Sequence, residues 1–133
     1  MIRNISLALI IFILNINFLK ANSDIFISVK IDDEIITNYD IEKEIRYLKI
    51  LNPNLEQLKQ NKVFELAKNS LVNEIIKKKE IVKYIDLKEE NNLVDNNLKN
   101  LITKLNYKSE NQFKEILDRK KIYSIDQIRN KIN

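Results

Sequence analysis

The sequence predicts a mainly α fold: a small helical domain of about five helices with a short N-terminal β-hairpin or extended arm. Three observations carry the prediction. Apolar residues recur at three- and four-residue spacing over most of the chain, Ser and Thr caps stand before several of those stretches, and only one segment alternates with period two.

That segment comes first. In Ile25-Phe26-Ile27-Ser28-Val29-Lys30-Ile31 the β-branched Ile25, Ile27, Val29 and Ile31 alternate with the other residues, which places them on one face of a strand. Asp32-Asp33-Glu34 interrupts as a turn, where an aspartate carboxylate accepts bonds from nearby amides, and Ile35-Ile36 resumes. Two strands alone are marginal in water, so this hairpin must lean on the helices. Thr37, with Asp40 three residues on, reads as the capping box of a helix whose inner face carries Ile41, Ile45, Leu48 and Leu51. Asn52-Pro53-Asn54 ends that helix, because the residue before a proline is steered out of the α conformation. A short helix is expected near residues 55–60. The longest helical pattern spans 61–84, with Val63, Phe64, Ala67, Leu71, Ile75 and Val82 on one stripe. Leu66, Val72 and Ile76 widen the stripe, which predicts a central helix packed on more than one side.

After Asp86-Leu87-Lys88 a further helix turns Val94, Leu98, Leu101, Ile102 and Leu105 inward. Two S-x-x-Q boxes, at Ser109 with Gln112 and at Ser124 with Gln127, then open two short helices carrying Phe113, Ile116, Leu117, Ile128 and Ile132. These segments are too irregular in length for a solenoid. Phe64 and Phe113 belong to the expected core, and the five tyrosines are expected where core meets water.

Residues 1–23 differ in kind. Met1-Ile2-Arg3-Asn4-Ile5-Ser6 is short and basic, Leu7 to Leu14 is unbroken apolar, and Lys20-Ala21-Asn22-Ser23 offers small residues to a signal peptidase. That is the anatomy of a secretory signal cleaved before Asp24. A membrane-spanning helix needs about 20 mostly apolar residues, and Asn15 and Asn17 break this run. Cleavage without stable membrane insertion is therefore expected, leaving residues 24–133 as one exported domain.

Ile, Asn and Lys make up roughly half the chain. AT-rich codons specify these three residues, so the lysine content reflects base composition as much as any anionic partner. Losing Arg3 and Lys20 would lower the net charge of +4 by two. The densest basic run, Lys77-Lys78-Lys79, points three ways on a helix and reads as a solvated face, so no nucleic-acid partner is expected. The chain has no Cys, no His and no Gly. That excludes disulfides, thiolate nucleophiles, imidazole bases, P-loops and dinucleotide fingerprints. The acidic clusters Asp32-Asp33-Glu34 and Glu89-Glu90 lack the glycine turn of a calcium loop and read as solvated. No catalytic residue, cofactor or metal is expected, and the chain is read as a non-enzyme.

The same residues carry a family resemblance. A signal, a strand, the turn segment Ile31-Asp32-Asp33-Glu34-Ile35-Ile36-Thr37, the Asp40-Ile41 pair and a long apolar helix resemble the N-terminal domain of the SurA family of periplasmic chaperones. Members typically show V-N-D-E-x-I-T at the turn, and here Asp32 replaces the asparagine. Gln112-Phe113 and Tyr123 to Arg129 are similar to the family's later short helices. The family-motif positions are thus Ile31, Asp32, Asp33, Glu34, Ile36, Thr37 and Asp40, all in structural roles.

The resemblance implies an ATP-independent periplasmic chaperone domain that holds unfolded outer-membrane polypeptides in an apolar groove. Parvulin-type isomerase domains usually follow in that family and have no counterpart in residues 24–133, so isomerase activity is not expected here. A second copy of the chain or a separately encoded parvulin partner are candidates for covering the groove. Two other readings fit the same residues: an exported helical scaffolding protein, or a truncated piece of a parvulin-type isomerase.

Overall fold

The computed structural model describes residues 24–84 and 92–132. The expected signal at 1–23 and the expected break at Asp86-Leu87-Lys88 lie outside the described residues. Strand β1 (Ile27–Ile31) pairs antiparallel with β2 (Glu34–Thr37), with Val29 opposite Ile36, Lys30 opposite Ile35 and Ile31 opposite Glu34. The expected hairpin is therefore present, but its alternation is not the one the sequence suggests. The register shifts between Ile27 and Val29, as a bulge at Ser28 does to any strand. Only Val29 and Ile31 pack toward the helices, while Ile25 and Ile27 remain exposed. At the turn, Asp32 takes a left-handed φ of 52°, a conformation that glycine usually supplies and aspartate tolerates. Lys79 donates to its carboxylate at 2.7 Å, and that hydrogen bond holds the Asp32 carboxyl below its ordinary pKa.

Helix α1 (Asn38–Leu51) starts on a complete capping box. Thr37 Oγ1 accepts from the Asp40 N–H at 3.2 Å, and the Asp40 carboxylate accepts from the Thr37 N–H at 2.9 Å. Asn38 ties down the chain ahead of β1: its side-chain oxygen accepts from the Phe26 N–H and its amide donates to the Asp24 carbonyl. Beyond α1, Pro53–Gln57 forms a separate 3₁₀ turn, where Asn52 accepts from the Asn54 N–H.

Helix α2 (Gln60–Ile81) is about 33 Å long at the standard rise. Its packing corrects the expectation of a central helix. Only Val63 and Ala67 are fully buried, and Leu66 and Ile76 face solvent. Phe64, expected in the core, is half-buried beside Ile36, Ile41 and Ala67.

The larger core lies elsewhere. Helices α3 (Asn92–Lys104), α4 (Glu110–Arg119) and α5 (Ile125–Ile132) enclose Leu98, Ile102, Phe113, Leu117, Ile125 and Ile128. Tyr47 enters this cluster from α1, whose Ile41 faces the hairpin cluster. One helix thus walls both cores. Both S-x-x-Q caps form: Ser109 and Ser124 accept from the Gln112 and Gln127 N–H groups at 3.2 Å. Gln127 returns the bond to Ser124, whereas Gln112 reaches one residue further back, to the Lys108 N–H. Arg129 pins the three helices together, donating to Asp95 of α3 at 3.1 Å and to Glu110 of α4 at 3.3 Å.

A chain without glycine must close its helices with other residues. Asn106 and Lys121 adopt φ of 61° and 51°, and each sits in a Schellman turn. Tyr107 N–H bonds Ile102 O and Ile122 N–H bonds Leu117 O, returning both apolar side chains to the core. Lysine has no local hydrogen bond to offset the left-handed strain, whereas asparagine tolerates it better. Lys121→Gly is expected to raise stability by about 0.5–1 kcal/mol and Asn106→Gly by less, measured as shifts in urea midpoint. A loss of stability at Lys121→Gly would contradict this account of the turn.

Candidate functional site

Glu44 lies on the inner face of α1, three residues after the fully buried Ile41, and is itself 1% exposed. A helix places positions three and four apart on one face, so this carboxylate enters the seam between the two cores. Burying a carboxylate costs several kcal/mol unless donors surround it. Three do. Ser70 of α2 donates to one oxygen at 2.7 Å, Tyr123 donates to the other at 2.7 Å, and Lys131 Nζ of α5 stands 3.2 Å from that second oxygen. Lys131 also pairs with Glu74 of α2.

Two aromatic rings complete the enclosure. Tyr47 and Tyr123 meet edge to face with centroids 5.5 Å apart, and Lys131 Nζ lies 4.6 Å from the Tyr123 ring centre. The nearly buried ammonium thus gains from two carboxylates and from the negative face of a ring. Burial, with the fields of Glu44 and Glu74, pushes the Tyr47 phenol up to about 12. The same causes, and the hydrogen bond to Glu44, push Tyr123 up further. Both phenols therefore hold their protons above the ordinary tyrosine range, and Tyr123 donates its own to Glu44. With its oxygens occupied by Ser70, Tyr123 and Lys131, Glu44 acts as a strut of the fold rather than as a base awaiting a substrate.

The strut stands beside open space. A cavity of about 400 Å³ lies between α1, α2 and the end of α5. Leu48 and Leu51 line one side, Lys77, Lys78 and Ile81 the other, and Ile132 one end. A second cavity of about 250 Å³ lies toward the hairpin, lined by Ile35, Ile36, Leu71 and Ile75. Glu74, Asn130 and Lys131 line both, so the Glu74–Lys131 pair lies where the two cavities adjoin. The basic run borders the mouth of the larger cavity. Lys79 pairs with Asp32, and Lys77 and Lys78 are solvent-exposed, as a solvated face requires, while also lining the cavity edge.

The family-motif positions fall mainly outside this site. Asp32, Asp33 and Glu34 are exposed at the turn, Ile31 and Ile36 pack into the hairpin cluster, and Thr37 and Asp40 cap α1. Only Ile36 and Asp40 reach the smaller cavity. Sequence reasoning passed over Glu44, Ser70, Glu74, Tyr123 and Lys131 as a group. One signal for Glu44 was present: an acid on the apolar stripe between Ile41 and Leu48. No protein-family model matches the chain, and neither a curated protein nor a solved structure matches it.

The raised phenols make stability depend on alkaline pH. Below pH 10 both states keep the protons and the contribution is intact. Above that value the unfolded chain releases them while the folded chain holds them, so stability falls as pH rises toward about 12 and beyond. The urea midpoint is expected to drop across this range, with the Tyr123→Phe variant declining less steeply than the parent. A folded protein whose Tyr47 and Tyr123 ionise at the ordinary tyrosine pKa, read by tyrosinate absorbance, would contradict the network.

Proposed function

We propose that the chain is an exported, ATP-independent chaperone-type domain that works in the periplasm, binding unfolded outer-membrane protein segments through an apolar groove. The observation that carries this reading is the incomplete burial of α2. Of the 22 residues of α2 only two side chains are fully buried, and Ile81 stays exposed in the wall of a cavity that Leu48 and Leu51 also line, while Leu66 and Ile76 are exposed elsewhere on the helix. Ile25, Phe26 and Ile27 add a second exposed apolar stretch at the hairpin. Exposed apolar surface gathered in this way marks sites that bind other chains.

The energetics suit a holding role. Each apolar side chain buried from a client contributes at most about 1.5–3 kcal/mol, and the loss of chain freedom on binding offsets much of it. A few such contacts give affinities of about micromolar, weak enough for release without a nucleotide. The likeness of the hairpin turn, the capped α1 and the long α2 to the SurA N-terminal domain supports the same reading.

Light scattering of an unfolded porin-type chain diluted from urea tests it. The purified chain is expected to slow aggregation when present at similar concentration, and Ile81→Asn to weaken that protection by roughly fourfold. Aggregation at the unprotected rate would remove the proposal.

A further inference from the structure

The larger cavity carries an uneven charge. Its inner carboxylates are already engaged: Glu44 by Ser70, Tyr123 and Lys131, and Glu74 by Lys131. Its outer edge holds Lys77 and Lys78, and among the described residues neither has a carboxylate partner. Their neighbour Lys79 does, in Asp32. Two glutamates against three lysines leave the lining with one positive charge in excess, and the unpaired lysines sit at its exposed edge, next to the apolar side chains of Leu48, Leu51 and Ile81.

We infer that the cavity selects the polypeptide it takes: an apolar side chain seats between Leu48, Leu51 and Ile81, while an acidic side chain close by in the same extended segment pairs with Lys77 and Lys78. The inference rests on the polypeptide-binding reading above and adds the class of segment. A basic neighbour is disfavoured, because it meets the like charge of Lys77 and Lys78 at the mouth. A compact inorganic anion fits less well, because it would leave the apolar walls uncovered. A carboxylate on an apolar segment satisfies both parts of the surface at once.

Fluorescence anisotropy with short labelled peptides tests the selection. The peptides share the same aromatic and aliphatic residues and carry glutamate, glutamine or lysine at the same neighbouring places. The expected order of affinity is glutamate, then glutamine, then lysine, with the extremes differing on the order of tenfold at low salt. The spread should narrow at about 0.5 M salt, where exposed charges are screened. Lys77→Glu with Lys78→Glu should invert the order. Lys59→Glu with Lys62→Glu, the same charge change at the other end of α2, should preserve it. Equal affinities for the three peptides, or an order that survives the Lys77→Glu/Lys78→Glu change, would overturn the inference. If the glutamine peptide binds but the order is flat, the selection fails and polypeptide binding stands. If no peptide binds, both fail.

Discussion

A single buried carboxylate sets how the two parts of this chain meet. Glu44 sits in a seam that apolar side chains would fill at less cost, so its retention demands donors at defined positions. Those donors come from three places: Ser70 on α2, Tyr123 ahead of α5 and Lys131 near the end of α5. Hydrophobic contact alone would allow α5 to slide against α1. A shift of one helical turn would strand the carboxylate without Lys131 or Tyr123, and that penalty specifies one seating among several. Arg129, two residues before Lys131, fixes the other face of α5 to α3 and α4. The end of the chain is thereby held from both sides.

The same interaction shapes the open surface. The Lys131–Glu74 pair crosses from α5 to α2 and ties the two elements to each other. Cavities remain on both sides of it. Beside that polar bridge the larger cavity keeps Leu48, Leu51 and Ile81 in its lining.

Local signals accounted for most of the elements. The Thr37–Asp40 box, the two S-x-x-Q caps and Pro53 mark helix boundaries through contacts within a few residues, and those contacts are present. The stripe of α3 was equally readable, with Leu98 and Ile102 buried where the spacing put them. The width of the α2 stripe misled, because an apolar face shows that a helix can be covered and not that its own chain covers it. The bulge at Ser28 was also hidden, since one extra residue reverses a period-two pattern without changing composition. The candidate site was the least legible part. The bonds from Ser70 and Tyr123 to Glu44 span 26 and 79 positions, and nothing local links those residues.

Urea unfolding of Glu44→Ala tests the central claim most directly, because it removes the carboxylate and leaves Tyr123, Ser70 and Lys131 in place. The account predicts a stability loss of about 3–5 kcal/mol, the cost of breaking a buried charge network from one side. A change within about 0.5 kcal/mol, as for a typical surface substitution, would show that the two parts of the chain hold their seating without it.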